Sequence, residues 1–195
     1  NALKLLNEKG EFLSAEDGNT VVQLSSSNEL HFAEVDQLGK YSTSQEYLSK
    51  HIDAILQLPT VNASAIKEAD FSIVVDAVNS TGGIFVPALL KALGVEKVIE
   101  LYCNPSGNFP HNPEPLPEHL TELAEKVVET HSDLGITVDP DVDRLAMVCE
   151  DGSMFGEEYT LVAVSDYVLS KTPGPTVSNL SSTRALRDIT EDKYH

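Results

Sequence analysis

The chain has 195 residues, with 31 acidic and 13 basic side chains and a formal net charge of −18 at pH 7. That balance argues against binding to nucleic acid or to an anionic membrane, because both partners require basic patches. The composition, 41% hydrophobic and 23% charged, is typical of globular proteins, and no apolar run is long enough to span a membrane.

The beginning of the sequence is typical of a mid-chain segment. Position 1 is Asn rather than Met, and no secretory leader follows it. We therefore expect a fragment of a longer protein, with a length that suits one domain and pieces of its neighbours. Cys103 and Cys149 are isolated in apolar or turn contexts, which favours free thiols in a cytoplasmic protein over a disulfide.

Residues 1–43 predict short extended segments. Residues 2–6 and 11–13 predict two strands joined by a turn at Gly10, and residues 16–19 predict a further turn. A block of this size is too small to fold well alone. We therefore interpret it as the tail of a preceding domain.

Residues 44–173 predict alternating helices and strands, with Ser44 as the N-cap of the first helix and Gly94 ending the second. The predicted helices cover residues 44–58, 86–93, 117–127 and 157–170. The predicted strands cover residues 71–76, 97–102, 136–138 and 145–149. Alternation of this kind predicts an α/β fold, with a mostly parallel sheet that carries helices on both faces.

The last stretch of the chain predicts a third unit. Residues 171–175 form a linker with two prolines and a glycine. After it, residues 176–180 predict a strand and residues 182–186 predict a helix. We interpret these as the opening elements of another domain.

The densest group of carboxylates follows the strand predicted at residues 136–138. It reads Asp139-Pro-Asp141-Val-Asp143-Arg144. Three like charges this close repel one another, and a hard divalent cation resolves the conflict. Mg²⁺ takes oxygen ligands and keeps positions open for a substrate phosphate, while the planar guanidinium of Arg144 suits phosphate oxygens. The spacing therefore predicts Asp139, Asp141 and Asp143 as metal ligands and Arg144 as a phosphate contact.

Two other interpretations of this stretch are a non-binding loop and an EF-hand. A surface hairpin, or a loop with only a structural role, would bind no cation. An EF-hand would explain Glu150 in twelfth position from Asp139, but Arg144 stands where that loop requires glycine, and the flanking segments predict strands. The EF-hand is therefore rejected.

Two further loops are candidates. Residues 76–83 end in Gly82-Gly83 before a helix and could cradle phosphate, but their spacing fits neither a P-loop nor a dinucleotide fingerprint, which favours a plain strand-to-helix turn. Residues 104–115 form a Pro-rich loop. Its His111 is either an acid, base or phosphate contact, or a side chain that packs the loop.

Taken together, these motifs resemble the α-D-phosphohexomutases, the superfamily of phosphoglucomutase and phosphomannomutase. The acidic segment is similar to that family's Mg²⁺ loop, and residues 107–115 are similar to its second-domain Pro-rich loop. The resemblance implies that residues 1–43 are the C-terminal part of domain 1. It also implies that residues 44–173 are the metal-binding domain 2 and that residues 174–195 begin domain 3.

The resemblance implies a Mg²⁺-dependent phosphotransferase that interconverts hexose 1-phosphate and hexose 6-phosphate through a phosphoserine and a bisphosphate intermediate. The family's Ser-His-Asn-Pro sequence does not occur in this chain. Residues 110–113 read Pro-His-Asn-Pro, with proline where the nucleophile must be. We therefore expect the isolated chain to bind metal and not to catalyse.

Two alternatives remain open at this point. A strand followed by Asp-x-Asp also opens the haloacid-dehalogenase phosphatases, in which Asp139 would be the nucleophile and Asp141 the acid or base. The late position of the loop, and the lack of a convincing downstream lysine and acidic pair, argue against that class. The chain could also be a non-catalytic metal-binding domain.

Overall fold

A computed structural model describes residues 4–27 and 31–194 of the chain. It divides into two compact units, residues 1–45 and residues 46–195. No helix in the described ranges combines the length and the apolar character needed to cross a membrane.

The described part of the first unit contains a tight turn, an α-helix and a short 3₁₀ helix. Leu6 pairs with Phe12 in an antiparallel bridge, and the N–H of Gly10, whose φ is +79°, donates to the Asn7 carbonyl (3.0 Å). This is the predicted turn, although the extended pairing is limited to one bridge. Residues 2 and 3 of the first predicted strand lie outside the described residues.

The predicted turn at residues 16–19 is wrong, because these residues lie inside helix α1 (Ala15–Ser26). A capping box starts the helix: the Ser14 hydroxyl accepts from the Asp17 N–H, and the Asp17 carboxylate accepts from the Ser14 N–H. A good cap outweighs the cost of about 1 kcal/mol of one internal glycine, here Gly18. A 3₁₀ helix follows at Val35–Gln37.

The second unit contains the remaining helices and all four named strands. The helices are α2 (Tyr47–Leu56), α3 (Ala63–Glu68), α4 (Gly82–Ala92), α5 (Thr121–Thr130), α6 (Glu157–Lys171) and α7 (Ala185–Ile189). The strands are β1 (Ser72–Asp76), β2 (Lys97–Leu101), β3 (Leu134–Val138) and β4 (Leu145–Cys149). A 3₁₀ helix, Pro117–His119, precedes α5, and a π-helix, Thr190–Tyr194, follows α7.

The strands form one sheet in the order β2-β1-β3-β4. The first three are parallel, and β4 returns antiparallel to β3 at the edge. Alternate residues of β1 point to opposite faces, as the period of a strand requires. Ile73 and Val75 pack in one core with Val86 of α4, whereas Val74 packs in a second core with Leu123 of α5. The predicted α/β fold, with helices on both faces, is confirmed.

Two local predictions are wrong, and one helix of this unit was missed. Helix α2 begins at Tyr47 with Glu46 at its N-cap position, so Ser44 lies before the helix. Helix α3 was not predicted; the Asn62 side chain caps it by accepting from the Ala65 N–H (3.0 Å). Residues 176–180 form no strand, since no neighbouring strand in the described parts of the chain offers them a backbone ladder.

Candidate metal centre

The acidic loop, residues 139–144, joins the adjacent antiparallel strands β3 and β4. Its first side chain, Asp139, is only 7% exposed. One oxygen of that carboxylate, Oδ1, accepts from the N–H groups of Asp143 (3.0 Å) and Arg144 (3.1 Å). The Asp139 carbonyl also accepts from the N–H of Val142, a residue in the left-handed region with φ of +59°. Asp139 therefore braces the loop from within.

The three aspartates that the sequence singled out lie together. Asp139, Asp141 and Asp143 each offer an oxygen atom, and these atoms lie within 4.8 Å of one another. Burial raises the pKa of Asp139, and the carboxylates of Asp141 and Asp143 act in the same direction, against the lowering effect of the N–H of Arg144. Three anionic oxygens around one point form a donor set that fits a hard divalent cation.

Arg144 lies at the end of the acidic loop and contacts the Pro-rich loop. Its Nη1 atom donates to Oε1 of Glu114 at 2.7 Å, and both side chains are about half exposed. The hydrogen bond to Glu114 raises the pKa of the guanidinium. The predicted phosphate contact of Arg144 stays a prediction, and a phosphate group would have to displace Glu114 from this guanidinium or share it.

His111 is bound through both ring nitrogens. Its Nε2 lies 2.9 Å from Oδ2 of Asp76, a carboxylate that is 1% exposed, and its Nδ1 lies 2.8 Å from the Asn112 carbonyl. The other oxygen of Asp76 accepts from the Val78 N–H (2.9 Å). These contacts support the packing role for His111, because neither ring nitrogen is left for a substrate.

The β1–α4 turn, residues 77–81, is the third component. Two consecutive residues in it, Val78 and Asn79, have positive φ values of 45° and 55°. A Cβ atom on Gly83 would lie 2.3 Å from the Cys103 carbonyl oxygen, and one on Gly82 would lie 2.5 Å from a methyl carbon of Val138. These glycines allow the start of α4 to pack closely against two strand ends, which agrees with a plain strand-to-helix turn.

The hydroxyl groups of this turn reach the acidic loop. Ser80 Oγ and Thr81 Oγ1 each donate to the Pro140 carbonyl at 2.9 Å. Both residues lie in the stretch 76–83, and Glu114 lies in the Pro-rich loop, but the sequence alone does not show that they contact the acidic loop. The one sequence signal for these contacts is that all three residues follow predicted strands. The carboxyl ends of parallel strands share one edge of the sheet, so polar residues there lie close together.

Residues 49–152, which include the whole acidic loop, match the family model for phosphoglucomutase/phosphomannomutase, alpha/beta/alpha domain II. The chain belongs to this family. This match assigns the domain that contains Asp139 to the phosphoglucomutase/phosphomannomutase family rather than to the haloacid-dehalogenase phosphatases. The resemblance that the motifs suggested is thereby confirmed.

Individual relatives agree with this assignment. A probable phosphoglucosamine mutase of Methanopyrus kandleri is 30% identical over 98% of this chain and 41% of its own length. A phosphoglucomutase/phosphomannomutase of Thermococcus kodakarensis is 32% identical over 97% of this chain and 41% of its own. The crystal structure of a putative phosphomannomutase from Thermus thermophilus superposes with a TM-score of 0.77 at 21% identity, over 94% of this chain and 41% of that one. That structure supports the fold. The chain spans about two fifths of the length of these relatives.

Proposed function

We propose that this chain supplies the Mg²⁺-binding domain of an enzyme that interconverts hexose 1-phosphate and hexose 6-phosphate. The observation that carries the proposal is the acidic loop. Its three aspartate oxygens converge within 4.8 Å at the carboxyl end of a parallel strand, inside the domain that matches the family. Ligands of open α/β sheets bind at that edge.

The proposed ligands of Mg²⁺ are Asp139, Asp141 and Asp143. When bound, Mg²⁺ would neutralise negative charge on a phosphoryl group in transfer. Asp139 also holds the loop in shape through its two N–H acceptor bonds. Arg144 is proposed to contact phosphate oxygens through its planar guanidinium, exchanging its Glu114 partner for the substrate.

We propose the phosphoserine route for the whole enzyme. A phosphoserine gives its phosphoryl group to a hexose phosphate, and the resulting bisphosphate returns its other phosphoryl group to the serine. The proposed substrate is a hexose phosphate, the proposed location is cytoplasmic, and no nucleic-acid or membrane partner is proposed. This chain has no Ser-His-Asn-Pro sequence, so the isolated chain is proposed to be inactive.

Calorimetric titration of the 195-residue chain with Mg²⁺ tests the metal proposal. Asp141→Ala should abolish the binding heat, because it removes one of three charged ligands. Asp151→Ala is the matched control: Asp151 is an exposed aspartate at the far end of β4, bound to Ser153 instead of the acidic loop. Equal Mg²⁺ binding by the wild type and Asp141→Ala would mean that the loop is only structural.

An activity assay tests the catalytic half of the proposal. The chain is incubated with glucose 1-phosphate or mannose 1-phosphate and Mg²⁺, and formation of the 6-phosphate is measured. We expect no turnover; turnover would refute the view that the nucleophile lies outside this chain. Release of inorganic phosphate from a simple phosphomonoester would instead favour phosphatase chemistry at Asp139.

A further inference from the structure

The acidic loop receives two hydrogen bonds from a segment about 60 residues away in sequence. The hydroxyls of Ser80 and Thr81 both donate to the Pro140 carbonyl, each at 2.9 Å. A carbonyl oxygen has two lone pairs, and these two donors suffice to occupy both. This carbonyl belongs to the peptide bond between Pro140 and Asp141, so fixing it fixes the peptide plane that leads into Asp141.

The Thr81 hydroxyl makes a hydrogen bond that is unusual for a residue at the start of a helix. Thr81 is the N-cap residue of α4, where a threonine hydroxyl ordinarily accepts from an N–H of its own helix. Here the side chain makes no such cap bond and points its hydroxyl at the acidic loop instead. Helix capping therefore does not explain the presence of this hydroxyl.

The β1–α4 turn, which carries the two hydroxyls, is held in shape by hydrogen bonds and close packing. The N–H of Val78 donates to the buried carboxylate of Asp76 (2.9 Å), and the N–H of Asn79 donates to the Tyr102 carbonyl (2.6 Å). These bonds hold the two left-handed residues of the β1–α4 turn. Gly82 then packs so closely that a Cβ atom would lie 2.5 Å from Val138, the last residue of β3.

We propose that Ser80 and Thr81 are positioning residues for cation binding by the acidic loop, a role that rests on the proposed metal function. By holding the Pro140 carbonyl, they keep Asp141 in place beside Asp139 before the cation arrives. An oxygen site of fixed shape loses less conformational entropy on binding than a mobile one. Because either hydroxyl can hold the carbonyl, the two act as partly redundant supports.

The test measures Mn²⁺ affinity of the full chain by electron paramagnetic resonance, with Mg²⁺ competition. The variants are Ser80→Ala, Thr81→Val and the double variant; Thr81→Val keeps the shape of the side chain and removes only the hydroxyl. We expect the double variant to bind about tenfold more weakly, the lower end of the loss seen when outer-shell partners of metal ligands are removed. Each single variant should lose less than half of the binding free energy that the double variant loses, because one hydroxyl remains.

Three controls separate positioning from general damage. Thr130→Val removes a hydroxyl that donates to the Lys126 carbonyl (2.7 Å) before β3 begins, at the opposite end of that strand, and should leave Mn²⁺ affinity unchanged. Thermal unfolding in chelator identifies any variant that fails to fold. The variant with Ser80→Ala and Thr81→Ser retains one hydroxyl and should recover the affinity of the Ser80→Ala single variant.

The outcomes distinguish the positioning role of Ser80 and Thr81 from the proposed metal function. If the wild-type chain binds neither Mn²⁺ nor Mg²⁺, the proposed metal function fails. If the wild type binds and the folded double variant binds equally well, the positioning role is overturned while the metal function stands. An equal loss in Thr130→Val would also overturn it, because the effect would then be one of general stability.

Discussion

Asp139 serves the acidic loop in two ways, and two substitutions at this one position separate them. Its carboxylate is a proposed metal ligand, and its Oδ1 accepts two backbone N–H groups at 3.0 and 3.1 Å. Asp139→Asn keeps an oxygen for both bonds and removes the charge. Asp139→Ala removes the charge and also the oxygen atom that accepts both bonds. The two variants should therefore match in metal binding and differ in stability.

The magnitudes follow from the burial of the groups. Each lost bond should cost about 1 kcal/mol, the typical net value of a protein hydrogen bond, because Asp143 and Arg144 are exposed and water can replace the acceptor. Asp139→Ala should thus lose about 2 kcal/mol, which for a chain of this size lowers the unfolding midpoint by about 4–8 °C. Asp139→Asn should lose little, since burial and two neighbouring carboxylates already disfavour the charge and raise the pKa of Asp139.

The assay pairs thermal unfolding in chelator with calorimetric Mg²⁺ titration. Both variants should bind Mg²⁺ roughly an order of magnitude or more weakly, since ligand charge sets the affinity of oxygen sites. If Asp139→Asn proves as unstable as Asp139→Ala, the acceptor bonds do not brace the loop. If Asp139→Asn binds Mg²⁺ like the wild type, the charge of this carboxylate does not contribute to the site.

Three further predictions concern the scaffold of the site. His111→Ala should lower the free energy of unfolding by about 1–3 kcal/mol, because it leaves Oδ2 of the buried Asp76 without its hydrogen-bond partner; an unchanged urea midpoint would contradict this. Gly83→Ala should cost about 1–3 kcal/mol through overpacking, whereas Gly174→Ala, where no atom lies within 4 Å of the added methyl, is the control. The hydrogen bond from Tyr102 to a carboxylate raises the pKa of this phenol to about 12 from 10.0. The folded state therefore retains this proton longer than the unfolded state, so this contribution to stability is complete below pH 10 and is lost as the pH rises toward 12. Ultraviolet titration of the six tyrosines should show a late-ionising phenol that is missing from Tyr102→Phe; an unchanged titration curve in that variant would argue against it.

The sequence predicted the sheet well because its strands are short β-branched runs bounded by turn residues. The strand at residues 145–149 was predicted with the bounds that the structure has. Helix α1 was missed because the Asp-Gly pair at positions 17 and 18 is typical of turns, while the capping box at Ser14 decides the local structure. The Asp-Gly pair favours a turn and the capping box favours a helix over the same residues. The hydrogen bonds of the capping box decide for the helix.

The clustering of the three carboxylates could be predicted from the sequence, whereas the residues that support their loop could not. Asp139, Asp141 and Asp143 share one loop, so their proximity follows from their spacing alone. The contacts of Ser80 with Pro140, and of Glu114 with Arg144, span 60 and 30 positions. They depend on the strand order β2-β1-β3, which puts β1 between the strands that carry the other two loops. Periodicity identifies strands but not their neighbours, so these supports could be found only in the structure.

The charges around the acidic loop limit what this part of the family fold can do unaided. Four carboxylates, those of the three aspartates and Glu114, face a single guanidinium, that of Arg144. A bound divalent cation would leave this group of side chains with one net negative charge. A doubly charged phosphate ester would still be repelled, so its binding requires cationic groups beyond those of this loop. Under the proposed function, the acidic loop would therefore hold a cation near the phosphoryl group, and cationic side chains other than Arg144 would be needed to hold the substrate.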